Sequence, residues 1–203
     1  MHIGIDFDNT IVCYDRLFPA LAVEQGLISS DQALSKEALR KHFIFQGQEE
    51  VWTRLQGVGY GPQMHRAELY PGVLAFIKSV LSQNHAVSVV SHKTRYPYLG
   101  EAYDLHFFAH RWLGENIIQH LTIEERSHFN YYFEASIESK VARIRTVGCT
   151  HFVDDLEKIL LHGDFPDSVR KILFTQKKRD QTDPDITQMH SWQEAFGLLG
   201  GAR

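Results

Sequence analysis

Short apolar segments of strand length alternate with amphipathic segments of helix length along most of the chain. The first predicted strand ends near Ile5, and three more are predicted at residues 86–90, 150–153 and 171–174. The predicted helices cover residues 73–81, 137–147, 156–161 and 192–199. Strands that alternate with helices indicate a parallel sheet with both faces covered. We therefore predict an α/β fold.

Polar side chains follow three of these predicted strands at the point where each strand ends. They are Asp6, Asp8 and Thr10 after the first strand, Ser91 after the second, and Asp154 and Asp155 after the third. Ligands of open parallel sheets bind beyond the carboxyl ends of the strands, so we expect these side chains to share one site. Acids in one site repel each other unless a cation lies between them or one is protonated. An all-oxygen set of this kind suits Mg²⁺.

Each acidic pair has a second interpretation when it is considered alone. The stretch from Asp6 to Thr10 also fits a solvated turn, since Asp and Asn favour turns. Asp154 and Asp155 also fit a solvated pair at a helix N-terminus, where the helix dipole stabilises acids. The recurrence of polar residues at three strand ends favours a functional site.

In their order along the chain, four motifs resemble those of the haloacid dehalogenase-like (HAD) superfamily. They are Asp6-Phe7-Asp8-Asn9-Thr10, Ser91, Lys140 and Asp154-Asp155, and the resemblance covers residues 1 to about 165. It implies a Rossmann-like parallel sheet flanked by helices. It also implies Mg²⁺-dependent chemistry through an aspartyl phosphate.

The resemblance implies a catalytic role for three residues. Asp6 would attack the substrate phosphorus, and Asp8 would protonate the leaving oxygen and then activate water. Lys140 would neutralise charge on the nucleophile and on the transferring group. Lys93 is an alternative for that last role, because it follows Ser91 by two residues. The order of the motifs favours Lys140.

The remaining site residues are predicted to bind the phosphate, the rest of the substrate or Mg²⁺. Thr10 and Ser91 are assigned to the phosphate by the resemblance, and His92 is a hypothetical substrate contact because it directly follows Ser91. The resemblance implies that Mg²⁺ is bound by Asp6, Asp154, Asp155 and the backbone carbonyl of Asp8. His106 and His110 have the helical spacing of a metal-binding pair, although such pairs without further ligands are more often surface or core residues.

The segment between the first two motifs is longer than a core connection requires. We predict a small helical cap over residues 14–69, with residues 1–13 and 70–203 forming the α/β core. Residues 98–133 are predicted to form two or three helices, either as a second cap or as part of the core. Three cap side chains are candidates either for substrate contact or for ordinary packing: Trp52, Arg54 and Tyr60.

Asp8 bears on the type of reaction. Dehalogenases and phosphonatases of the HAD superfamily lack an acid at this position, so the resemblance favours phosphoester chemistry. A phosphatase acting on a small phosphorylated metabolite is the first hypothesis. A phosphomutase or phosphotransferase is the close alternative, and a non-catalytic binding module that keeps the fold is the third.

Composition narrows the classes of partner. The 203 residues carry a net charge of −4 and no dense Lys/Arg block, which disfavours an obligate nucleic-acid partner. The first predicted strand begins almost at Met1 and no apolar stretch has membrane-spanning length, so we expect neither a secretory leader nor a membrane anchor. Two cysteines without a metal-type spacing fit the reducing cytoplasm. The sequence is compatible with a homo-oligomer as well as with a monomer.

Overall fold

The structure, a computed structural model, describes residues 1–32, 34–178 and 183–199. Two 3₁₀ turns cover Met64–Arg66 and Ile118–His120. In chain order the other elements are β1 (His2–Ile5), β2 (Val12–Cys13), α1 (Leu17–Glu24), α2 (Lys36–Phe45), α3 (Glu49–Tyr60), β3 (Glu68–Leu69), α4 (Val73–Ser82), β4 (Ala86–His92), α5 (Leu105–Asn116), α6 (Ile123–Ser127), β5 (Phe129–Glu134), α7 (Ile137–Thr146), β6 (His151–Asp154), α8 (Glu157–Leu160), β7 (Arg170–Phe174), β8 (Ile186–Met189) and α9 (Trp192–Leu199).

These elements divide into two units. The second unit consists of residues 13–68 and 94–116, and the first contains the other described residues. The division differs from the predicted boundaries at 94–116, because these boundaries included the segment in residues 70–203, although a second cap within 98–133 was left as an alternative. In this segment α5 packs against α3, and the indole of Trp112 donates a hydrogen bond of 2.9 Å to the carbonyl of Ala67. The segment belongs to the second unit because the apolar side of α5 is buried against other residues of that unit.

The first unit contains a six-stranded sheet in the order β5-β4-β1-β6-β7-β8. All neighbouring strands in it are parallel. Ile5 of β1 lies opposite Val89 of β4 and Val153 of β6. This register places Asp6, the next residue, beside Asp154 at the carboxyl ends of two central strands. The α/β fold predicted from the sequence is confirmed.

Helices cover both faces of this sheet. Leu173 of β7 belongs to an apolar cluster with Val141 and Ile144 of α7. Its neighbour Phe174 packs on Trp192 of α9, with ring centroids 5.8 Å apart. Consecutive residues of a strand point to opposite faces. The sheet is therefore buried on both sides, as the continuous apolar strands indicate.

The two edge strands were not predicted from the sequence. Residues 129–134, which form β5, fell in a segment predicted to be helical, and that prediction is wrong there. Residues 186–189, which form β8, were assigned no element. Edge strands are only half covered, so their apolar pattern is weak. The run Phe-Asn-Tyr-Tyr-Phe-Glu in β5 did carry a signal, since aromatic residues favour strands.

The second unit is built around an aromatic cluster. Phe18 of α1 packs against Trp52 and Tyr60 of α3, with ring centroids 5.2 and 5.3 Å away. A Cβ atom at Gly59 would lie 2.6 Å from the ring of Phe18, so this close approach requires glycine. Trp52 and Tyr60 therefore have a packing role here. Arg54 is the third candidate for substrate contact. Its guanidinium nitrogen Nη2 lies 3.8 Å from Glu50 Oε2, so it forms an ion pair within α3.

No helix among the described residues combines the length and apolar character needed to cross a membrane.

His2 is expected to make stability depend on pH. Burial lowers the pKa of His2 below 6.5, although a backbone hydrogen bond partly offsets this. Because the unfolded chain takes up this proton at a higher pH than the folded chain, stability should fall as the pH drops below 6.5 toward the folded-state pKa. The free energy of unfolding, measured in urea at about pH 7.5 and about pH 5.5, should fall less in His2→Gln than in the parent.

The exposed His120 provides the control for this prediction. His120→Gln should keep the pH dependence of the parent. An identical fall in stability in the parent and in His2→Gln would contradict the contribution assigned to His2.

Candidate active site

Asp6 is held where β1 ends and the chain turns. Its backbone N–H donates a hydrogen bond of 2.8 Å to the carbonyl of Val153. The chain then closes a tight turn in which the N–H groups of Ile11 and Val12 both donate to the carbonyl of Phe7. Asn9 has φ of +62°, a left-handed conformation that asparagine adopts more readily than most residues. The asparagine in the motif therefore has a local structural reason.

Lys140 joins two carboxylates. Its Nζ lies 2.5 Å from Asp6 Oδ1 and 2.6 Å from Asp154 Oδ2. The lysine lies in the first turn of α7, which begins at a capping box formed by Ser136 and Ser139. The second oxygen of Asp154 accepts a hydrogen bond of 2.9 Å from the N–H of Leu156. Both oxygens of Asp154 are thus oriented.

The electrostatics of this cluster follow from its burial. Lys140 and Asp154 have side chains 2% and 0% exposed, and that of Asp6 is 7% exposed. Burial, the largest effect, raises the pKa of Asp6 to about 7; the charge of Lys140 lowers it, and those of Asp154 and Asp8 raise it. Burial by itself lowers the pKa of Lys140, but the charges of Asp154 and Asp6 outweigh it and hold the pKa above its ordinary value. The lysine therefore stays protonated beside the acids.

Three carboxylates of this cluster fit a cation. Asp6, Asp154 and Asp155 each place an oxygen within 4.8 Å of the others. Two of the three are buried, and all three offer carboxylate oxygens. Carboxylate oxygens are ligands that suit Mg²⁺. These residues fit the ion that the sequence predicts.

Lys93 is also buried, but it contacts a different acid. Its Nζ lies 2.7 Å from Asp8 Oδ2, and its side chain is 3% exposed. Lys140 and Lys93 were alternatives for one role in the sequence. In the structure Lys140 contacts Asp6 and Asp154, whereas Lys93 contacts Asp8. Sequence reasoning missed the contact of Lys93 with Asp8. The only signal for it in the sequence was that each of these residues follows a predicted strand.

The predicted binding residues lie in the same unit. Ser91 is buried near the end of β4. Thr10 is buried, and its hydroxyl has no hydrogen-bond partner among the described residues. His92 is half-buried; burial lowers its pKa most, and the nearby charge of Lys140 lowers it further. Phosphate or substrate contact at these three positions stays a prediction.

The histidine pair of the second unit does not complete a metal cluster. His106 and His110 both lie on α5. Within the described ranges, the only group of three or more histidine, cysteine or acidic side chains with metal-ligand spacing is Asp6, Asp154 and Asp155. The alternative of a second metal therefore has no support from the geometry.

Comparison with known proteins identifies the fold. No protein-family profile and no curated protein matches the chain. Many solved structures do match, and they include several HAD-superfamily hydrolases and phosphatases. The chain has the HAD-like fold. At 10–14% identity these similarities establish the architecture alone.

Three of the similar structures illustrate the range of proteins that share this architecture. CbbY from Rhodobacter sphaeroides, in complex with phosphate, is 12% identical with a TM-score of 0.56, over 96% of this chain and 95% of that one. A dehalogenase is 13% identical with a TM-score of 0.55, over 99% and 97%. The HAD-hydrolase YfnB from Bacillus subtilis, bound to magnesium, is 12% identical with a TM-score of 0.52, over 98% of both chains.

Proposed function

We propose that the chain is a Mg²⁺-dependent phosphatase that hydrolyses a small phosphorylated metabolite through an aspartyl phosphate on Asp6. The observation that carries the proposal is the buried cluster in which Lys140 bonds Asp6 and Asp154, with Asp155 completing three oxygen ligands. Among proteins of this fold, one similar structure contains phosphate and another contains magnesium, which supports both parts of the proposal.

In the first step, a carboxylate oxygen of Asp6 attacks phosphorus. The new O–P bond forms as the bond from phosphorus to the leaving oxygen breaks, and Asp8 gives its proton to that oxygen. Lys140 remains protonated next to Asp6 and stabilises the negative charge of the transferring group. The step requires Asp6 to be ionised, which Lys140 favours.

In the second step, water attacks the phosphorus of the aspartyl phosphate. Asp8, now ionised, accepts the proton of the water while the bond between phosphorus and the Asp6 oxygen breaks. Inorganic phosphate leaves, and both acids return to their starting states. Phosphoryl transfer depends mainly on positioning and on charge stabilisation, and the cluster provides both.

Binding roles complete the proposal. Asp6, Asp154, Asp155 and the backbone carbonyl of Asp8 would hold Mg²⁺, which would supply positive charge to stabilise the transferring phosphoryl group. The hydroxyls of Ser91 and Thr10 and the ring of His92 are proposed to contact the phosphate or the rest of the substrate.

Asp8 favours phosphoester hydrolysis over dehalogenation. A leaving alkoxide needs a proton, whereas a halide does not, so an acid two residues after the nucleophile suits a phosphoester. We also propose that the partner is a small molecule rather than nucleic acid or a membrane. Work in the cytoplasm is proposed as well, since the sequence contains only two cysteines, which is too few for a disulfide framework.

The test is phosphate release by the purified chain. Sugar phosphates, nucleoside monophosphates and an aryl phosphate are incubated with Mg²⁺ or with EDTA, and a haloalkanoic acid is assayed for halide. We expect phosphate release that EDTA abolishes. Halide release alone would make the protein a dehalogenase, an isomerised sugar phosphate would indicate a mutase, and no turnover of any compound would favour a binding module.

A further inference from the structure

The acid Asp8 has a buried cationic partner that the phosphatase mechanism does not use. Lys93 Nζ lies 2.7 Å from Asp8 Oδ2, and the Lys93 side chain is 3% exposed against 19% for Asp8. A lysine is rarely buried to this extent unless it is paired. Lys93 donates to Oδ2 of Asp8, which leaves Oδ1 as the oxygen that can carry the proton. The contact is therefore a specific one rather than a solvated surface pair.

Lys93 is itself held in place by the frame of the sheet. Its backbone N–H donates a hydrogen bond of 2.8 Å to the carbonyl of Glu134, the last residue of β5. The carboxylate of Glu134 accepts a hydrogen bond of 2.7 Å from Arg143 of α7. The Lys93 ammonium also lies 5.5 Å from the centroid of the Phe7 ring. The position of Lys93 is thus determined by its backbone hydrogen bond at the end of β4 and by the contact of its ammonium group with Phe7.

We propose that Lys93 is a positioning residue that orients the Asp8 carboxyl group for proton transfer. The inference rests on the proposed phosphatase function, in which Asp8 protonates the leaving oxygen. Asp8 is less buried than Asp6, and the hydrogen bond from Lys93 to Oδ2 holds its carboxyl group in one direction. Lys93 provides that contact from a neighbouring strand, while Lys140 serves the nucleophile.

The dependence of the rate on the leaving group distinguishes this role from a structural one. An alkyl phosphate needs an acid to protonate its leaving oxygen, whereas dinitrophenyl phosphate has a leaving group that departs without a proton. The parameter kcat/KM includes only steps up to release of the leaving group, so it does not depend on the later attack of water. Loss of an oriented acid should therefore affect kcat/KM for the alkyl substrate selectively.

The experiment compares Lys93→Met, Lys93→Arg and the parent on both substrates, with Lys78→Met on the exposed surface of α4 as the control. For Lys93→Met we expect kcat/KM to fall about 100-fold or more on the alkyl phosphate and less than about 10-fold on the aryl phosphate. Lys93→Arg, which keeps the charge, should recover part of the alkyl activity. Lys78→Met should match the parent on both substrates.

Equal losses on the two substrates, or a selective gain on the alkyl phosphate, would overturn the role of Lys93. So would a folded Lys93→Arg variant that is no more active on the alkyl phosphate than Lys93→Met. A parent that releases phosphate from neither substrate, or an Asp6→Asn variant as active as the parent on the aryl substrate, would instead contradict the proposed phosphatase function. The two failures are therefore distinguishable.

Discussion

Asp6→Asn is expected to abolish phosphate release. The amide is close to the carboxylate in size, but it carries no negative charge and cannot form the acyl phosphate. Loss of a nucleophile on which the whole reaction depends should lower kcat by about four orders of magnitude or more. The measurement is steady-state phosphate release from the best substrate of the panel, with Mg²⁺ present.

The exposed Asp167 offers the matched control for this substitution. Asp167→Asn makes the same chemical change outside the cluster and should leave kcat unchanged. Circular dichroism and thermal unfolding should show that Asp6→Asn remains folded. Residual activity within about tenfold of the parent would show that Asp6 is not the nucleophile.

Lys140→Met is expected to have the second large effect, on stability as well as on activity. The substitution leaves Asp6 and Asp154 buried without the ammonium group that lies 2.5 and 2.6 Å from them. Breaking a buried ion pair by removing one partner typically costs about 3–5 kcal/mol of folding free energy. We expect a loss of this size in urea unfolding with EDTA present, and a loss of activity of about 100-fold or more with Mg²⁺.

Added Mg²⁺ provides an internal check on this second prediction. Because the variant lacks the lysine charge, binding of Mg²⁺ should stabilise it more than it stabilises the parent, as measured by the shift of the unfolding midpoint. Lys78→Met, on the exposed side of α4, is the control and should behave like the parent. Unchanged stability of Lys140→Met in EDTA would contradict the central place assigned to this ion pair.

The central strands and their neighbouring helices were accessible to sequence reasoning. The predicted helix over residues 73–81 is Val73–Ser82 in the structure, and the predicted strand over 86–90 is Ala86–His92. Fully buried elements have continuous or strongly periodic apolar patterns, so their positions are clear. The edge strands Phe129–Glu134 and Ile186–Met189 are only partly buried, and this pattern is lost.

The assignment of residues 94–116 to the second unit also required the structure. Helix α5 is amphipathic, and an apolar side predicts burial without specifying the partner. The sequence therefore left open whether residues 98–133 formed a second cap or part of the core. In the structure this stretch is divided, since residues 94–116 join the second unit and those from 117 onward join the first.

The sequence by itself determined the α/β class, the strand ends that carry Asp6 and Asp154, and the presence of two lysines suited to an anionic site. Strand periodicity and turn chemistry are local properties, so a pattern of residues can specify them. Only the tertiary structure decided which lysine meets which acid. Lys140 Nζ reaches Asp6 across 134 positions of the chain, and Lys93 reaches Asp8 across 85. Such pairings depend on sheet register and on the docking of α7, which no local pattern records.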